Sequence, residues 1–355
     1  MKRNAVIVIL VASLFVACGG KAQTKDLVIK IPLVTWGGYA ALFAANGGAK
    51  ANTNSLFYKY GKFQVELVQE ENPANQLQGF ANGTYQIIWS TMDMLPLSYD
   101  SLSKDKRTIP QVIGLFDLSS GGDGIIVRGN IKTAKDLKGK KIVVAQYTPS
   151  HFFILWTLDQ AGLTQKDVQM VYAADAISAK DTFIADKTID VCVTWSPFIY
   201  DITDPRKDTF VKGSRLLATS AKGQPAHGLI ADIWFARTDL VKSHPEVIEA
   251  FSKAYVDGYA AFQKDVTNTA REMAEFFGIK GGAADMLSMY NDVVIAGPKE
   301  NATFFDKKDK FSAWNIFNTS AALYIKNGGN LATNFNVDPS AVIFEGPMLK
   351  AVSGK

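Results

Sequence analysis

The run Asp117-Leu-Ser-Ser-Gly-Gly-Asp-Gly124 gathers carboxylates, hydroxyls and permissive backbone into eight residues. Such a run either cradles a phosphate or lets a chain pass between two bodies beside a polar ligand. It lacks the Lys and the following helix that a phosphate loop requires, so it reads as a crossing segment. Asp117, Ser119 and Ser120 then face a cleft. Gly121, Gly122 and Gly124 serve hinge conformations, with Asp123 as a hinge hydrogen-bond acceptor. Further on, the charged turn Asp136-Leu-Lys-Gly-Lys-Lys141 leads through a short apolar strand to Thr148-Pro-Ser-His-Phe152. There a helix opens with Thr148 as its cap, and the free N–H groups of its first turn suit an accepting or anionic group. Thr148, Ser150 and His151 are the ligand candidates of that turn.

The elements that must position these residues alternate between strand and helix. Leu27–Val34 and the period-two run Phe63–Val68 read as strands. Asn72-Pro73 starts a helix that runs to about Ala81, with Asn as cap and Pro in the first turn. A strand over Tyr85–Trp89 ends in the polar loop Ser90-Thr-Met-Asp93. The plan repeats with strands at Lys141–Ala145, Val168–Tyr172 and Ile189–Thr194, a helix from Thr148 to Gly162, and a helix capped by Ser178. From Ser243 onward the spacing predicts helices near 245–264, 269–277, 282–292 and 310–327. An internal echo, Phe80-Ala-Asn-Gly-Thr84 and Ile184-Ala-Asp-Lys-Thr188, precedes two strands that both end in Trp-Ser, at Trp89-Ser90 and Trp195-Ser196.

Alternating βα units predict mostly parallel sheets with helices on both faces, and such sheets bind ligands beyond the carboxyl ends of their strands. Those ends are Trp36-Gly37-Gly38, Trp89-Ser90-Thr91-Met92-Asp93, Thr148–His151 and Trp195-Ser-Pro-Phe198. Three of the six tryptophans stand there, where aromatic faces suit a small planar or apolar ligand. Trp36, Trp89, Trp195 and Phe198 are therefore candidate walls. Gly37 and Gly38 are candidate sites of close backbone approach, and Ser90, Thr91 and Asp93 are candidate polar contacts. None of these loops carries Lys or Arg, whereas Asp93, Asp117 and Asp123 lie near them. That balance favours a ligand bearing an amine or a nitrogen heterocycle over a simple sulfonate or nitrate, and taurine, a sulfonate that carries both charges, is compatible with it.

The first 25 residues are of another kind. Lys2 and Arg3 precede the uncharged stretch Ala5–Ala17, a secretory leader over 1–17 that is too short to span a bilayer permanently. Cys18 directly after Ala17 predicts lipidation, with residues 18–25 as a tether. Removing Lys2 and Arg3 from the 38 basic residues leaves 36 against 34 acidic ones. This interspersed, near-neutral balance gives no nucleic-acid patch. With Cys18 lipidated, Cys192 has no disulfide partner. Three scattered histidines make no metal site, and no cofactor motif or nucleophile–base pairing is present.

In Trp36-Gly-Gly-Tyr39, Asp117–Gly124, Asp136–Lys140, Thr148–Phe152 and Ile189-Asp190 leading to Trp195-Ser-Pro197, the chain resembles the substrate-binding proteins of bacterial ABC importers. The likeness is to the branch named for nitrate, sulfonate, taurine and thiamine-precursor uptake. It covers most of residues 27–260 and implies the type II periplasmic-binding-protein fold, with two α/β lobes joined by two crossing segments. Lobe I is then 26–116 with 232–355 and lobe II is 117–231. The crossings fall near Phe116–Gly124 and near His227–Phe235, where Asp232 is a second hinge acid. The implied role is solute capture by a lipid-anchored, extracytoplasmic monomer that serves a permease and its ATPase. A ligand-sensing lipoprotein is the alternative, as is an enzyme of pyrimidine-precursor metabolism on the same fold. That enzyme branch uses a cysteine-rich segment this chain lacks. Gln86 departs from the acidic residue usual before its strand, whereas Asp190 keeps it.

Overall fold

The computed structural model describes residues 27–327 and 331–354. The leader, Cys18 and the tether lie outside the described residues. Chain order begins with β1 (Val28–Leu33), α1 (Ala40–Asn46), α2 (Leu56–Gly61), β2 (Gln64–Gln69), α3 (Pro73–Asn82), β3 (Ile87–Thr91), α4 (Leu95–Leu102) and β4 (Pro110–Ser119). The second α/β run is β5 (Asp123–Val127), β6 (Lys141–Ala145), α5 (Pro149–Gln160), β7 (Gln169–Ala173), α6 (Ala176–Ala185), β8 (Val191–Trp195), α7 (Phe198–Thr203) and β9 (Arg215–Thr219). The chain returns through β10 (Ala231–Arg237) to α8 (Thr238–Ser243), α9 (Pro245–Lys264), α10 (Val266–Phe277) and α11 (Gly282–Met289). It closes with β11 (Val293–Ile295), α12 (Pro298–Phe304), α13 (Ala313–Lys326) and α14 (Gly346–Val352).

Within the described residues, β1 pairs with β2 in parallel, and a four-stranded sheet runs β11-β4-β10-β3. The second lobe is a five-stranded sheet in the order β7-β6-β8-β5-β9. Its βα-connected strands β7, β6 and β8 are parallel. The antiparallel pairs are those made by the strands that carry the chain between lobes. β4 and β10 pair with each other, and β5 and β9 do likewise.

Each lobe has its own core. Around lobe I, Phe116 stacks on Trp234 at 4.3 Å and Tyr39 on Phe116 at 5.1 Å between ring centroids, so the first crossing strand is anchored by large buried rings. Lobe II closes on Ile125, Val127, Phe152, Phe153, Leu155 and Leu158. The tail touches both cores. α13 lays Trp314, Ile316 and Phe317 on the first core, while Ala321, Leu323 and Tyr324 join the second.

Local signals fixed some boundaries and missed others. Asn72 caps α3 by accepting from the Ala74 and Asn75 amides, and α9 spans Pro245–Lys264 as the spacing predicts. The strand expected at Tyr85–Trp89 is instead Ile87–Thr91, because Ser90 and Thr91 pair with Ile233 and Asp232 of β10. The helix assigned a Ser178 cap starts earlier: Asp175 caps α6, its carboxylate accepting from the Ser178 amide at 2.7 Å. Asp190 is a turn partner, accepting from the Lys141 amide at 2.9 Å. No helix among the described residues is long and apolar enough to cross a membrane.

Candidate functional site

Two rows of ladder partners meet where the lobes face each other. In the four-stranded sheet, where β4 runs to Ser119 and so past the boundary expected at 116, Asp117 of β4 stands opposite Asp232 of β10, which stands opposite Thr91 of β3. In lobe II, Asp123 of β5 stands opposite Trp195 of β8. Both rows lie at the ends of strands, and Asp123, Trp195 and Asp232 from them line a cavity. Between them lies this small cavity, lined by Val34, Trp36, Trp89, Asp123, Pro149, Trp195, Ile230 and Asp232. Trp36, Trp89 and Trp195 thus supply faces from both lobes, and the Trp-Ser echo in the sequence marked two of these walls.

Trp36 is held from two sides. Its Nε1–H donates to Asp117 Oδ2 at 2.8 Å. A Cβ at Gly38 would fall 1.5 Å from that carboxylate oxygen, and one at Gly122 would fall 2.2 Å from the Trp36 ring. These glycines therefore make room for an indole and its carboxylate. Gly37 and Gly38, expected to bring backbone N–H groups to a ligand, are not in the lining, and a Cβ on Gly37 would meet Met289 at 3.2 Å. A Cβ at Gly124 would fall 2.8 Å from Leu216 and 2.9 Å from Ile199, and Gly121 adopts φ +126.

The segment expected to act as a hinge gathers around a residue that carried no signal in the sequence. Ser220, fully buried, shares a 2.7 Å hydroxyl–hydroxyl bond with Ser119 and accepts from the amides of Gly121 at 2.9 Å and Asp123 at 3.2 Å. Ser119 is thereby occupied at the hinge, and the Ser120 amide donates to the Asp292 carbonyl at 2.7 Å. A lone Ser after the short, half-exposed strand β9 carried no signal. Asp123 and Asp232, expected at the hinge, both line the cavity. Pro149, Val34 and Ile230 were missed; Pro149 lies between two candidates, and Val and Ile at strand ends are indistinguishable from core residues.

The helix-mouth candidates divide. Pro149, the first residue of α5, lines the cavity. Thr148 does not cap, because its hydroxyl donates to the Ala145 carbonyl at 2.8 Å. The Ser150 hydroxyl is buried with no partner. His151 sits among Tyr147, Tyr172 and Tyr324, with ring centroids 5.4–6.2 Å away, and not in the lining. Burial holds its pKa down to about 4, so it is neutral. Ser90 donates to the Thr91 carbonyl at 3.3 Å, and Phe198 packs behind Trp195 at 6.4 Å.

The electrostatics are one-sided. Burial raises Asp93 to about 8, Asp117 to about 7 and Asp123 to about 7. Burial and then the Asp117 carboxylate push Asp232 well above the ordinary range. The charged groups acting on these carboxyls are other carboxylates: Asp123 on Asp93 and Asp117, Asp292 on Asp123, and Asp117, Asp123 and Asp93 on Asp232. Both oxygens of Asp93, Oδ1 of Asp117, Oδ1 of Asp123 and Nε1 of Trp89 are buried without hydrogen-bond partners. Buried polar groups are rarely left so; they are not confined to this cluster, Asn46 Oδ1, Arg128 Nε and Ser252 Oγ being others. Among the described residues no group of His, Cys, Asp and Glu has the geometry to hold a metal ion.

The family model of NMT1/THI5-like proteins matches residues 52–267. The chain belongs to the NMT1/THI5-like family. Among curated proteins, the family member resembles the taurine-binding periplasmic protein of Escherichia coli strain K12, at 23% identity over 207 residues. That match takes in 58% of this chain and 60% of the relative, so it spans about three-fifths of the relative's length. Among solved structures, the alkanesulfonate-binding protein SsuA of Xanthomonas axonopodis pv. citri bound to MOPS superposes with TM-score 0.65 at 14% identity, covering 92% of this chain and all of that one. The periplasmic nitrate-binding protein NrtA of Synechocystis PCC 6803 gives 0.65 at 12% identity over 93% of this chain and 89% of its own. The type II periplasmic-binding fold expected from the sequence is the fold observed.

Proposed function

We propose that this chain is an extracytoplasmic solute-binding protein that captures a small molecule between its two lobes and presents it to an ABC permease driven by a separate ATPase. The observation that carries the reading is the inter-lobe cavity, walled by Trp36 and Trp89 from one side and Trp195 from the other, with Asp123 and Asp232 in its lining. A molecule that touches both lobes binds the closed form better than the open one and so shifts the equilibrium between them. The basic start, the apolar run and Cys18 support a lipid anchor at the outer face of a bacterial membrane. The ligand class favoured by the lining is a compound bearing an amine or a nitrogen heterocycle.

A second reading, taurine, has its own support in the name of the curated relative. It also draws on the start of α5, where Pro149 meets the cavity and no side chain caps the helix. Native mass spectrometry of freshly purified protein, followed by calorimetry with the molecule it carries, tests the capture reading. Trp36→Ala, Trp89→Ala and Trp195→Ala are each expected to weaken binding. Unchanged affinity in all three variants would sink the aromatic-walled site. Turnover of a bound candidate would move the assignment to the enzyme branch of the fold, and an encoded permease and ATPase alongside would separate importer from sensor.

A further inference from the structure

Resting on the capture reading above, we infer that the cavity takes a compact organic cation, an ammonium or amidinium nitrogen beside a hydrogen-bond-accepting atom, and that its capture drives protons off the carboxyls around it. Asp123 and Asp232 line the cavity, each almost wholly buried. Asp117 stands across the ladder from Asp232 but already gives one oxygen to Trp36. Asp93 joins from the turn after β3 with neither oxygen partnered. An anion entering here would meet no basic side chain in the lining and would be repelled by whichever carboxyls are ionised, whereas a cation stabilises their ionised form. A metal ion does not fit, because these carboxyls do not converge as metal ligands. The three indole faces suit a cation with a planar body.

The acceptor requirement comes from a separate observation. Trp89, 5% exposed and in the lining, has an indole N–H with no partner. The uncapped start of α5 lies at the same cavity through Pro149. Both call for one acceptor on the ligand, which a ring nitrogen or carbonyl provides without a full negative charge.

The proton balance follows from the groups facing the cluster. These are Asp117 from β4, Asp123 from β5, Asp232 from β10, Asp93 after β3 and Asp292 before β11, with the Tyr39 and Tyr200 hydroxyls beside them. Without ligand, carboxylates packed together and away from water retain protons near neutral pH. A cation favours their ionised form, so each cation bound sends protons to solvent.

The test uses four probes of similar size on the full-length protein stripped of any carried molecule. These are 3-(aminomethyl)pyridine, benzylamine, phenylmethanesulfonate and taurine. Titration calorimetry in two buffers of different ionisation enthalpy counts the protons. Expected are binding of 3-(aminomethyl)pyridine, weaker binding of benzylamine, phenylmethanesulfonate weaker by about a hundredfold or more, net proton release, and cation affinity that climbs from pH 6 to 8 by up to roughly tenfold per unit. Asp123→Asn should cost the cation about tenfold or more in affinity while its thermal midpoint stays equal or rises. Trp89→Phe should erase the preference for the pyridine over benzylamine. Tight binding of the sulfonate or taurine with the cations ignored overturns the cation inference and leaves capture standing. Cation binding with no proton exchange overturns the coupling. Failure of every probe, with no small molecule carried by fresh protein, overturns both the inference and the capture reading.

Discussion

Asp117 shows how the site is built residue by residue: an indole 81 positions earlier donates to it, and a glycine leaves the space it occupies. Trp36→Phe replaces the indole with a smaller aromatic ring and deletes the donor, leaving a buried carboxylate oxygen unpaired. The expected loss is about 1–3 kcal/mol, read by urea denaturation above pH 7, where Asp117 is ionised, and smaller at pH 5. Gly122→Ala should cost a similar ~1–3 kcal/mol by driving a methyl into Trp36. The raised carboxyls also set a pH dependence with a definite sign. Their folded-state pKa values of about 7 to 8 lie above the ordinary 3.8, so the folded protein binds more protons than the unfolded chain between those limits. Stability from these groups is fully present at low pH and is lost as pH rises through 7 to 8. His151, depressed from 6.5 to about 4, pulls the other way only below 6.5. The thermal midpoint of ligand-free protein should therefore fall between pH 6.5 and 8. A midpoint that climbs across that window would contradict the buried-carboxyl description. The acids and tryptophans were legible by type and by their place at strand ends. The task of Gly38 was not, because it is defined by a neighbour distant in sequence.

At the scale of elements, periodicity and caps located the strands and long helices, while pairing decided what lay at their edges. Ser90 and Thr91 look like a polar loop in isolation, yet β10 draws them into β3 and aligns Thr91 with the two acids. The same return strand carries Asp232 within the apolar run Ala231–Phe235, where a single acid reads as a hinge residue until its ladder partner is known. The hinge itself is a junction between β4, β5 and the end of β9, and no local pattern announces it. Ser220 joins the three through Ser119, Gly121 and Asp123. Ser220→Ala leaves two buried amides without their acceptor and the Ser119 hydroxyl without its partner. The expected destabilisation is about 1–3 kcal/mol. Hydrogen exchange should show it as faster exchange of the Gly121 and Asp123 amides relative to both cores. Equal protection at those amides in the variant would assign the hinge elsewhere.

For the molecule as a whole, function depends on how lightly the lobes hold each other when empty. Among the described residues α13 ties to lobe II through Asn327 and Lys326, and the side-chain contacts at the cleft include Trp195 Nε1–H to the Thr35 carbonyl at 3.3 Å, Tyr200 OH to Asp292 Oδ1 at 2.7 Å, and Lys207 to Asp285 at 3.7 Å. The Lys207 ion pair is about half exposed on both sides and contributes little. The Trp195 bond is long and involves neutral partners. Tyr200 to Asp292 is the short, charge-assisted one, on a pair partly shielded from water, and such a bond contributes about 1.5–3 kcal/mol. Removing it with Tyr200→Phe keeps the ring and its packing but takes that stabilisation from the closed form alone. The open population should rise roughly tenfold or more, and apparent ligand affinity should fall in proportion to the closed fraction lost. Small-angle scattering of ligand-free variant and parent reads the first effect as a larger radius of gyration. Saturating ligand should return both proteins to the same value, since the bound state is closed in each. If affinity drops while the two free proteins scatter identically, Tyr200 acts on the site directly and not on closure. If neither quantity changes, the closed form is held by the α13 bridge between the two cores, and the Leu323 and Tyr324 contacts with lobe II become the ones to cut.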